Sequence, residues 1–178
     1  MIERLINEIN LALDHNLYFS ALALTLILPD ACARVEYPNK IPSERYKIWY
    51  KTYIGNRIIA SEECPNIDET VAYNIRCCFL HEGNPNVNDK SKISKLELIF
   101  QDKDPSPDIE IKENNIIINL KYFDMYCTDS TTGDKIYRLN VRSYCEWVCK
   151  HVIEYYNNNK DKFSFDYTVV DWDEIKPK

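Results

Sequence analysis

Glycine is scarce, with three residues in 178. That scarcity excludes the glycine-rich loops whose backbone N–H groups cradle phosphates. No G-x-G-x-x-G or Walker-type run occurs, so neither a Rossmann nor a P-loop nucleotide site is expected. None of the seven cysteines forms a C-x2-C pair. Cys77, Cys78 and His81, or Cys145 and Cys149, are the sets to weigh as zinc ligands, but neither has the spacing of common structural sites. Cys78, Cys145 and Cys149 also lie on apolar stripes, where a thiol acts as a small hydrophobe. No metal and no cofactor are therefore expected. A Cys77 nucleophile lacks an identifiable orienting third group.

No positively charged segment followed by an apolar core opens the chain. With the odd cysteine count, this reads as reduced thiols in a cytoplasmic protein. The longest strongly apolar run, Leu17 to Pro29, is broken by Ser20 and Thr25 and reads as too short to span a bilayer. The net charge of −6 disfavours a generally basic nucleic-acid coat and leaves room for a local basic patch.

What is present is helical period. Ile2, Leu5, Ile6, Ile9 and Leu13 form one apolar face, predicting a helix that ends near Asp14 to Asn16. Leu17 to Leu28 is apolar nearly all round, the pattern of a helix buried at the centre of a bundle, with Pro29 and Asp30 expected to interrupt or end it. Pro42-Ser43-Glu44 reads as a helix entry with Ser43 as cap, and the helix is expected to run to Ile54. From Arg34 to Arg57 six Lys/Arg face two acids, a local charge of +4. Arg45, Lys47 and Lys51 alternate there with Tyr46, Trp49, Tyr50 and Tyr53. Cations interleaved with rings suit single-stranded nucleic acid, and Arg45, Lys47, Lys51 and Tyr50 are the RNA-binding candidates. The plainer reading turns the rings inward and leaves the cations as a solvated face.

The stretch DETVAYNIRCCFLHEG, Asp68 to Gly83, is the most informative. Val71, Ala72, Ile75, Cys78 and Phe79 make one stripe, Asp68 can cap the start, and Gly83 can take the left-handed position at the end. The prediction is a helix over 69–82. Off the stripe lie Arg76 and His81, about 140° apart on an ideal helix. On that geometry they meet only if the last turn loosens or a second copy supplies one of them. An imidazole titrating near neutrality can move a proton to or from a ribose hydroxyl, and a guanidinium can hold the phosphate. The plainer alternative pairs Arg76 with an acid such as Glu82 or Glu62 and leaves His81 at the negative end of the helix dipole.

Beyond Gly83, a polar loop over Asn84–Ser91 precedes strands expected at Leu96–Phe100, Ile109–Ile111 and Ile116–Leu120. The last two are joined by a turn at Lys112–Asn115, and Pro105-Ser106-Pro107 marks a loop. An apolar seam from Val141 to Tyr156, with Asn140 as cap, predicts the last helix. Phe163 to Val169 alternates like a terminal strand, followed by a loose tail from Asp171 to Lys178. The fold class is mainly α: a single domain over 1–178, with a compact bundle of about five helices from 1–83 and 139–157. A small antiparallel β insertion over 94–121 and the C-terminal strand complete it.

A helix carrying Arg, then His a few residues later, late in a compact helical bundle, resembles the higher eukaryotes and prokaryotes nucleotide-binding family, HEPN. Arg76 and His81, in RCCFLH, carry the likeness. The resemblance implies a metal-independent endoribonuclease of a toxin–antitoxin or phage-defence system, acting as a homodimer whose paired motifs face each other. Arg76 and His81 would be the catalytic pair, RNA the substrate, and an antitoxin or regulatory protein a partner. The family often carries a polar residue, commonly Asn, where Cys77 follows the arginine here. It also contains non-catalytic members, so the alternative is a helical module that binds a partner protein or nucleotide.

Overall fold

The computed structural model describes residues 1–55, 67–84, 95–100, 110–113, 116–119, 125–128 and 131–163. Among these residues five α-helices span Ile2–Asp14 (α1), Tyr18–Glu36 (α2), Pro42–Trp49 (α3), Glu69–Glu82 (α4) and Val141–Asn158 (α5). A π-helical turn, Tyr50–Ile54, prolongs α3, and a short 3-10 turn, Lys160–Lys162, follows α5. The protein is mainly α, as the periodicity predicts.

Helix α2 is the hub, packing against α1, α3, α4 and α5. Its all-round apolarity has a use on each side: Ala21, Leu22, Leu26, Leu28, Cys32 and Ala33 are fully buried. Each leucine so buried contributes about 1.5–3 kcal/mol. Pro29 does not end it, contrary to expectation, and the helix runs on to Glu36. The ring removes the N–H that would bond the Thr25 carbonyl. Packing on every side outweighs that loss, and the buried Thr25 hydroxyl turns back to donate to the Ala21 carbonyl at 2.8 Å. At 19 residues α2 is long and apolar enough to cross a membrane, longer than the run read from sequence, and half of that stretch is buried inside the protein.

Helix α3 starts two residues earlier than a Ser43 cap would place it. Pro42, with its fixed φ, occupies the first helical position, Ile41 precedes it as cap residue, and Ser43 makes no capping bond.

The strands correct a third expectation. Glu110–Glu113 (β2) and Ile116–Asn119 (β3) pair antiparallel, Glu113 opposite Ile116, as the turn between them suggested. Lys95–Ile99 (β1), however, pairs in parallel with Lys135–Asn140 (β5), and Met125–Thr128 (β4) lies antiparallel on the other side of β5. The sheet is mixed, and its central strand lies beyond the expected insertion. Leu96, Tyr137 and Leu139 are buried in the helical core, which draws β1 and β5 together. Parallel neighbours need a long connection, and residues 100–134 supply it. Strand β5 runs straight into α5, where Asn140 Oδ1 accepts the Ser143 N–H at 3.1 Å, the expected cap. Apart from Asn84 and Phe163, the expected Asn84–Ser91 loop and terminal strand lie outside the described residues. So do the Pro105–Pro107 loop, the tail, Arg57 and Glu62.

Candidate active site

Both ends of α4 are fixed as its sequence dictates. Asp68 Oδ1 accepts the Thr70 and Val71 N–H groups, each at 2.9 Å, and Gly83 closes the helix with φ +64°. Val71, Ala72, Ile75 and Cys78 are buried, while Phe79 is half-buried and stacks on Phe19 at 6.0 Å. The opposite face carries the candidate residues.

Arg76 Nη1 lies 3.0 Å from His81 Nε2 within one chain. The helix stays regular to Glu82, so neither a loosened turn nor a second copy is needed to join them. The two Cα–Cβ directions diverge by about 140° on a regular helix, and the length of the arginine side chain carries the guanidinium across that gap. A guanidinium only donates, so this contact is a hydrogen bond when the ring is the tautomer with its proton on Nδ1.

Arg76 Nε donates to Asp30 Oδ2 at 2.8 Å, and these two side chains are 23% and 19% exposed. Among the described residues the acid that pairs with Arg76 is Asp30, not the expected Glu82; Glu62 lies outside them. Sequence reasoning missed Asp30, reading it as a helix stop beside Pro29. The available signal was an acid inside an apolar helix assigned to the bundle centre, where a buried charge requires a partner. Partial burial works against the Arg76 charge, but the Asp30 carboxylate outweighs it and holds the guanidinium above its ordinary range. Cys77 Sγ lies 4.0 Å from Arg76 Nη1. Beside them the Tyr73 phenol is pushed up, by burial first and then by its bond to Cys77.

The basic aromatic helix divides along the plainer line. Tyr50 is fully buried with Tyr46 and Trp49, which removes its ring from any stacking with RNA. Lys51 pairs with Glu69 at 3.5 Å. Lys47 is half-buried, its ammonium 5.4 Å over the Tyr73 ring, which places one cation of this helix next to the Arg76 cluster. Arg45 is also half-buried. Of the RNA-binding candidates, Arg45, Lys47 and Lys51 thus keep some exposure and Tyr50 does not.

Among the described residues no group of three His, Cys, Asp or Glu side chains is arranged to hold a metal ion. Cys145 and Cys149 sit in the core, and burial pushes the Cys149 thiol up to about 12. His81 is exposed, so the pair opens to solvent from a half-buried base. A cleft of about 210 Å³ between the π-helical turn and α5, lined by Tyr53, His151 and Tyr155 among others, does not include it. Set against family models, curated proteins and solved structures, the chain matches none.

Proposed function

We propose that the protein is a metal-independent endoribonuclease, with His81 transferring the proton and Arg76 stabilising the phosphate. The observation that carries this reading is the 3.0 Å contact between Arg76 Nη1 and His81 Nε2 at the exposed end of α4. It puts a proton acceptor and an anion-binding donor within reach of one phosphodiester. His81 Nε2 takes the proton from a ribose 2′-hydroxyl as that oxygen attacks phosphorus. The bond to the 5′-oxygen breaks, the proton passes to that leaving oxygen, and a 2′,3′-cyclic phosphate remains. Arg76 donates to the non-bridging oxygens as their charge builds. Lys47, beside Tyr73, adds a second cation for the flanking strand.

The HEPN resemblance supports the same chemistry and adds a toxin or defence setting in the cytoplasm. It also suggests a homodimer and an antitoxin or other regulatory partner. An exposed aromatic patch favours such an assembly: Phe100 packs on Phe19, and Phe19 on Phe79 of the helix that carries the pair. The chemistry is tested by the product ends. A ribose-to-deoxyribose change at the cleaved step abolishes cutting and the wild-type product carries a cyclic phosphate; cleavage of the deoxy-substituted strand contradicts the mechanism.

A second reading has its own observation. The Asp30–Arg76 bond already gives the guanidinium a structural partner, which suits a non-catalytic module binding a partner protein or nucleotide. Sedimentation with RNA that persists in a His81→Ala variant, without cleavage by the wild type, favours that reading.

A further inference from the structure

We propose that Asp30 is the positioning residue of this site: through Arg76 it holds the His81 imidazole in the tautomer that presents Nε2 as a base. The inference rests on the reading of Arg76 and His81 as a reactive pair. Its physical premise stands in the geometry alone.

An exposed histidine left to itself exchanges tautomers and turns about its side-chain bonds. Here a relay three groups long connects it to the core. Asp30 stands on the central helix next to Leu28 and Pro29, both buried, so its carboxylate is carried by the helix that packs against the other four. Its Oδ2 takes the Arg76 Nε–H at 2.8 Å. The guanidinium is planar, so fixing Nε from one side limits where Nη1 can point, and Nη1 meets His81 Nε2 at 3.0 Å. Tyr46 from α3 and Tyr73 and Cys77 from α4 also lie around the guanidinium. Burial keeps both phenols protonated, so neither supplies the negative charge that Asp30 supplies.

The arrangement has a consequence for catalysis. The lone pair that acts as base is covered by Arg76 until an anion draws Nη1 away. A phosphodiester does this, releasing Nε2 at the moment the phosphate is bound, while Asp30 retains Nε as the pivot about which the guanidinium turns.

The test is the ring nitrogen spectrum of 15N-labelled protein at a pH where the imidazoles are neutral, for the wild type, Asp30→Ala and Asp30→Asn. His15 and His151 are internal references, since Nδ1 of each lies 2.9 Å from the backbone carbonyl four residues earlier, Leu11 and Trp147. In the wild type His81 carries its proton on Nδ1. Asp30→Ala moves it to a mixture with the Nε2–H form and leaves His15 and His151 unchanged; Asp30→Asn, which keeps an acceptor without the charge, falls between. An Nε2–H ring in the wild type, or an unaltered His81 in a folded Asp30→Asn protein, overturns the proposal. RNA cleavage is assayed on the same samples. A wild type that shows the tautomer response without cutting sinks the nuclease reading and leaves the positioning role standing.

Discussion

Asp30 and Arg76 are 46 positions apart and joined by an N–H···O bond of 2.8 Å. The guanidinium that faces His81 therefore also ties α4 to the central helix, and one residue serves both architecture and site. The two roles separate by mutation.

Arg76→Ala removes the partner of a carboxylate that is 19% exposed. Leaving such a group unpaired costs about 1–3 kcal/mol. His81 is exposed, and His81→Ala changes stability by less than about 0.5 kcal/mol. Thermal unfolding of the two variants shows a lower Tm for the first only. Equal losses would place His81 in the packing of the bundle.

The two ends of α4 are expected to be separately sensitive. Asp68→Ala loses two hydrogen bonds at the start and costs about 1 kcal/mol. At Gly83 a Cβ meets nothing within 4 Å, so Gly83→Ala pays only for its φ of +64°, about 1–2 kcal/mol. Denaturant titrations measure both. A neutral Gly83→Ala would mean the helix can end another way.

Why α4 was legible and its partner was not follows from the range of the forces involved. Caps, period and a left-handed glycine are local, and Asp68, the apolar stripe and Gly83 together determine α4 from its own residues. The Asn140 cap and the seam of α5 were readable for the same reason. Asp30 was hidden because its role is set by a residue on another helix. Beside Pro29, its local signal is that of a helix stop. Strand β5 was hidden likewise: Tyr137 and Leu139 become a strand by pairing with Leu96 and Leu98, some forty positions earlier in the chain. The plain reading of Tyr50 was legible as one of two alternatives, and core packing around Trp49 decides between them.

Glu36 gives a pH signature. Lys162, then Tyr155, hold its carboxyl below the usual range by hydrogen bonds, Lys162 Nζ and Tyr155 Oη each at 2.7 Å. A carboxylate whose folded pKa is depressed stabilises the protein above its unfolded pKa, near 4.3 for Glu by the usual reference of about that value. That contribution is lost as pH falls through the lower folded pKa. Acid titration of Glu36→Gln therefore shows a shallower loss of stability below that range than the wild type. Parallel curves contradict the coupling.

Thiol chemistry should divide by burial. Burial raises the thiols of Cys32 and Cys149, the latter to about 12, so both stay protonated and shielded at neutral pH. Alkylation read by peptide mass spectrometry finds Cys77, which is half-buried beside Arg76, modified in the native protein well before either. Rapid native labelling of Cys32 would show that the central helix opens.

The most direct test of the central claim is incubation of the pure protein with a labelled mixed-sequence RNA in excess chelator, beside Arg76→Ala and His81→Ala. The account predicts chelator-resistant cleavage by the wild type and its loss in both variants. Cleavage that survives in His81→Ala, or that disappears from the wild type when metal is removed, would contradict it.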